Sequence, residues 1–120
     1  GTFFANYIFG LNVIEISSNM RSGTNIYISE IFAAIGLLLV ILLSRTDGKN
    51  IVAFNVGIYI TAAIIFTSSA SFANPAVTIA RVFTESFAGI NPSTVIFFIS
   101  CQVIGMFAAY LLYNQFFKSK

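Results

Sequence analysis

Residues 69–81 read SASFANPAVTIAR, and this stretch decides how the rest of the chain is read. Asn74 is a good N-cap, because its side-chain oxygen can accept an N–H of the first turn. Pro75 suits the first helical position, where a backbone donor would have no partner anyway. The pattern predicts a helix from Asn74 to about Glu85, before Gly89 and the Asn91-Pro92 pair break it. Such a helix is roughly 18 Å long, about half a hydrocarbon core. As a bare tripeptide, Asn-Pro-Ala is an ordinary helix start on a surface loop. Its flanks change its meaning.

Three apolar runs surround it. Residues 26–44 carry one acid, Glu30, while residues 51–68 and 93–117 carry no charge. Each is long enough for a transmembrane helix, which takes about 20 residues. They are rich in β-branched residues and Phe, but an isolated segment in lipid must satisfy its own backbone as a helix. Residues 45–50, RTDGKN, form a short polar turn that makes the first two spans antiparallel.

Residues 69–92 could cross the membrane or dip in and return. Arg45 and Lys49 mark their turn as cytoplasmic, and Lys118 and Lys120 should share that side. They do so only if residues 69–92 are re-entrant. Arg21, in the loop of residues 10–25 then placed outside, runs against the rule. A half-length helix capped inside a bilayer needs protein or a wet cavity at its end. Residues 1–9 are apolar but too short to span, and read as the end of a preceding transmembrane helix. The chain is therefore expected to be a piece of something longer, with residues 118–120 as a cytoplasmic tail.

Composition agrees with lipid as the solvent. Of 120 residues, 58% are hydrophobic and 8% charged, too few charges to cover a water-soluble globule, which carries roughly a quarter. A net charge of +2 and the lack of a basic stripe argue against a nucleic-acid partner. Histidine is absent and Cys101 is the sole cysteine, so no metal-ligand cluster, internal disulfide or Cys-His pair can form. No catalytic residue, metal or cofactor is expected, and Cys101 reads as a small packing residue. Ala33, Ala34, Gly36, Gly57, Gly105 and Ala109 read as close-packing positions between helices.

With these residues in place, the chain resembles the aquaporin (major intrinsic protein) family over nearly its whole length. ISEIFAAIGLLLVILL looks like the family's fourth transmembrane helix, NVGIYITAAIIFTSS its fifth, SFANPAVTIAR its second Asn-Pro-Ala loop, and FISCQVIGMFAAYLLY its sixth. FANPAVTIAR followed by ESFAGI resembles a bacterial branch, some of whose members are associated with arsenic resistance. The resemblance implies an all-α membrane protein, the C-terminal half of a right-handed helical bundle with one re-entrant half-helix. It also implies a passive channel for water or small uncharged solutes in a bacterial inner membrane, and a homotetramer. The pore would be completed by a missing N-terminal half or an equivalent partner chain. A non-conducting membrane scaffold, or an orphan half-channel packing with partners, is the alternative.

The family's pore logic assigns roles. Two half-helices meet at mid-membrane, each N-terminus carrying about half a positive charge. Asn74, Pro75 and Ala76 would line the pore centre, with the Asn74 amide donating to solute. An extended strand over residues 69–73, including Ser71, Phe72 and Ala73, would offer carbonyls along one wall. Glu30 is either an interfacial acid among headgroups or a buttress accepting backbone N–H groups of the loop. In most members an Arg directly follows the second Asn-Pro-Ala; here Val77 stands there. The other filter positions on this chain fall on Ala62 and Ser71. All three are small or apolar, which implies a wide, uncharged filter suited to glycerol-like polyols and neutral metalloid acids. Arg81, one turn toward the outer mouth, either replaces the missing charge in part or anchors at the interface.

Overall fold

The computed structural model describes residues 1–46 and 48–118; Asp47, in the polar turn, and Ser119 and Lys120, in the tail, lie outside them. The elements in chain order are α1 (Thr2–Ile8), α2 (Thr24–Ser44), α3 (Lys49–Phe66), α4 (Pro75–Ala80), a 3-10 turn (Arg81–Phe83) and α5 (Pro92–Leu112), which runs on through a π-helical turn (Tyr113–Phe117). No strand occurs among the described residues. Thr24–Ser44, Lys49–Phe66 and Pro92–Phe117 are long and apolar enough to cross a membrane. At 21 residues, α2 rises about 32 Å, the thickness of a hydrocarbon core. Phe32, Phe54, Ile65, Phe107 and Phe116 stay exposed, a surface that water would not tolerate on this scale. The chain is an all-α membrane protein.

The two Asn-Pro pairs work alike. Asn74 Oδ1 accepts the Ala76 N–H at 2.9 Å, and Asn91 Oδ1 accepts the Ser93 N–H at 3.0 Å. Each proline then occupies the first turn, where its missing donor costs nothing.

Helices α2 and α5 form the main interface, and Gly105 sets how near they come. A Cβ on Gly105 would stand 2.5 Å from the Ile31 carbonyl oxygen and 2.9 Å from Ala34 Cβ. Only glycine lets these backbones meet, and Ala33, Ala34 and Ala109 are buried beside the contact. Helix α3 leans on α2 through Tyr59, whose hydroxyl donates to the Ala33 carbonyl at 2.9 Å, and Asn55, which donates to Ser44 Oγ at 2.9 Å. A Cβ on Gly36 would collide with the Tyr59 ring, whereas Gly57 faces open space. Arg45, just after α2, stacks 5.6 Å above the Tyr113 ring. The α2–α3 turn and the far end of α5 thus lie at one end of the bundle.

The core sits under the segment before α4. Ala70, Phe72, Ile90 and Phe98 are buried together, with Ile26, Tyr27, Val82 and Val95 packed against them. Phe72 and Phe98 lie 5.3 Å apart, centroid to centroid, in a tilted pair.

Candidate functional site

Helix α4 is shorter than its pattern suggests. The α-helix ends at Ala80, the 3-10 turn ends at Phe83, and Thr84 is extended. The cause is competition for carbonyls. A helix reaching residues 85–87 would use the oxygens of Arg81, Val82 and Phe83. Those oxygens instead accept the Ile90 N–H at 3.2 Å, the Ser17 N–H at 2.8 Å and the Asn6 side-chain amide at 2.9 Å. Glu85 is drawn aside as well, its carboxylate accepting the backbone N–H and hydroxyl of Ser18. These bonds hold that carboxyl below its usual range, first through the hydroxyl and then through the backbone N–H.

The segment leading into α4 is not the extended strand expected for residues 69–73. Ala70, Ser71 and Ala73 have φ of 60°, 45° and 49°. The left-handed region costs a non-glycine residue about 1–2 kcal/mol, so the surroundings must hold it. They do so at both ends. The Ala73 N–H donates to Glu30 Oε1 at 2.5 Å, and the Ser69 carbonyl accepts from Arg21 at 3.4 Å.

Glu30 is fully buried, and its position is set by α5 as much as by α2. Gln102 Nε2 donates to Glu30 Oε1 at 2.7 Å and to Thr78 Oγ1 at 2.8 Å. Thr78 Oγ1 in turn donates to the Asn74 carbonyl at 3.0 Å. One chain of hydrogen bonds thus joins α2, α5 and the start of α4. Asn74 remains exposed, and its amide N–H groups have no acceptor among the described residues. Beside it opens a recess lined by Ala34, Leu37, Leu38 and Ile41 of α2, by Ala73, Asn74 and Pro75, and by Met106 of α5. Its walls are apolar and its floor is the capped start of a helix, so it suits a small uncharged guest that can accept a hydrogen bond.

No family model matches the chain. No solved structure matches it either. Over 112 residues, 93% of its length, it is 41% identical to Aquaglyceroporin AqpS from Rhizobium meliloti (strain 1021). The chain belongs to the aquaporin (major intrinsic protein) family. It spans about half the length of this curated relative, 48% of it, and the match is to the C-terminal half.

The named positions of this aquaporin chain fall into distinct surroundings. Asn74, Pro75 and Ala73 share the recess described above. Ala76 is exposed on α4. Phe72 is only 2% exposed, and its ring faces the core against Phe98. Ser71 is buried with its hydroxyl unpartnered among the described residues. Val77 is half-buried on α4. Ala62 opens onto a groove along α3 with Ala53, Phe54, Gly57, Ile58 and Thr61. Arg81 is half-buried, 4.5 Å above the Phe72 ring, and its Nη1 donates to the Ala88 carbonyl at 3.4 Å. Sequence reasoning passed over Gln102 and Thr78, and noted Arg21 only for its charge. Gln102 carried a usable signal, because a polar side chain inside an uncharged span should face the bundle interior.

Proposed function

We propose that the chain forms the C-terminal half of a passive channel for small uncharged solutes. The observation that carries this reading is the capped start of α4, tied to α2 and α5 through Glu30, Gln102 and Thr78, with the Asn74 amide N–H groups left without an acceptor among the described residues. A donor there, at the positive end of a helix, favours a passing hydroxyl or water and disfavours a cation. Residues 69–92 are then a re-entrant loop, and Glu30 is its buttress rather than an interfacial acid. Asn74 and the carbonyls of residues 71–73 line the pore, and Ala62, Ser71 and Val77 form this half's share of a wide filter. Breadth favours glycerol-sized polyols and neutral metalloid acids over water alone, and the name of the relative, an aquaglyceroporin, points the same way. The remaining wall comes from an N-terminal half or a partner chain, in a tetramer in a bacterial inner membrane.

The full-length gene product in liposomes should pass glycerol well above the protein-free rate in stopped-flow shrinkage and reswelling. An Asn74→Leu variant, folded but without the donor, should lose most of that flux. Folded wild-type protein with no flux of water, glycerol or undissociated arsenous acid would favour the non-conducting scaffold instead.

A further inference from the structure

Arg21 is only 8% exposed, although it belongs to the loop between α1 and α2. All three guanidinium nitrogens are used: Nε donates to the Gly89 carbonyl at 2.8 Å, Nη2 to Phe87 at 2.6 Å, and Nη1 to Ser69 at 3.4 Å. The first two acceptors follow α4 in the chain and the third precedes it. The same guanidinium lies 5.0 Å from the centroid of the Phe72 ring, and the Arg81 guanidinium lies 4.5 Å from that centroid. Two like charges therefore share one aromatic ring. Their repulsion is a cost, and it helps burial push the Arg21 pKa down. The arrangement persists because a planar fork offers a separate nitrogen to each of three carbonyls, whereas a lysine would present its three donors from a single atom.

We infer that Arg21 is a positioning residue for Arg81: it locks the Phe72 ring from the loop side, and the locked ring fixes where the Arg81 charge stands at the outer end of α4. Val77 leaves the position after Asn-Pro-Ala uncharged, so the placement of the Arg81 charge decides how strongly this end of the segment repels cations. That consequence for permeation rests on the channel reading; the positioning itself does not.

The test has one readout for each part. Arg81 in the reconstituted full-length protein is modified with phenylglyoxal, and the rate is read by peptide mass spectrometry in wild type, Arg21→Lys and Phe72→Leu. Both variants should raise the rate by about threefold or more, the low end of coupling between residues sharing a partner. The double variant should do little more than the stronger single one, because both act through one ring. Folding is checked by cooperative melting; Phe72→Leu keeps an apolar side chain in the core and serves if the Arg21 variant is unstable. An unchanged rate in either folded variant would overturn the positioning role. The second readout is potassium leak relative to glycerol flux, which should rise in both variants. A labelling change in a protein that passes no glycerol would leave the positioning intact and remove the channel reading.

Discussion

The Glu30 carboxylate on α2 accepts the backbone N–H of Ala73, the residue before the α4 cap, at 2.5 Å across 43 positions of sequence. Ala73 is one of the three residues with left-handed φ, so this bond holds the backbone in a conformation it would otherwise leave. Replacing Glu30 by Leu strands the Ala73 N–H and one donor of Gln102 in a buried site. Each stranded group costs about 1–3 kcal/mol, so Glu30→Leu should destabilise by roughly 2–6 kcal/mol. Glu30→Gln keeps one acceptor and should lose about half as much or less. Thermal unfolding in detergent measures both. Equal stability of the Leu variant and wild type would leave Glu30 no part in holding the loop.

Topology offers a second prediction. Arg45 stacks on Tyr113, so the α2–α3 turn and the end of α5 share one end of the bundle. Cysteines placed at Lys49 and Lys118, in a Cys101→Ala background, should react with an impermeant maleimide from the same side of sealed vesicles. The positive-inside rule assigns that side to the cytoplasm. Labelling from opposite sides would exclude a re-entrant segment between them.

The Ser18–Glu85 tie should make the loop between α1 and α2 sensitive to acid. The folded-state pKa of Glu85 is depressed, so its stabilising contribution is present above the unfolded carboxylate pKa. It is lost as pH falls through the lower, folded value. Hydrogen exchange at the Ser18 N–H should therefore speed up as the medium is taken below about pH 4, the ordinary carboxylate range, after correction for intrinsic rates. Glu85→Gln should show the faster exchange at neutral pH and little further acid response. A Gln variant as well protected as wild type at pH 7 would show that the tie does not order the loop.

Val77 tests the filter assignment. A Val77→Arg channel would carry added bulk and a fixed charge where the family usually has one. Glycerol flux should fall about tenfold relative to water flux, the effect of roughly 1.4 kcal/mol on the larger solute's barrier. Water is small enough to pass a guanidinium that it can also hydrogen-bond. Matched osmotic gradients in stopped flow give the ratio, and an unchanged ratio in folded protein would place Val77 off the constriction.

Much of the fold was legible because it is local. A span announces itself by length and lack of charge, and the Asn-Pro starts at 74 and 91 announce themselves because cap and proline act within one turn. The sequence alone therefore determined three membrane-crossing helices, an all-α class, a short helix beginning at Asn74, and Glu30 as an acid needing a partner. Tertiary structure alone decided where α4 stops, since the oxygens of Arg81, Val82 and Phe83 are claimed by Ile90, Ser17 and Asn6, the last 77 positions away. It also decided the left-handed backbone before α4, which Ala and Ser do not favour and which Glu30 and Arg21 hold from outside the segment. Arg21 read only as an exception to the positive-inside rule because its three acceptors are backbone carbonyls, and a carbonyl leaves no mark on the residue type that bears it.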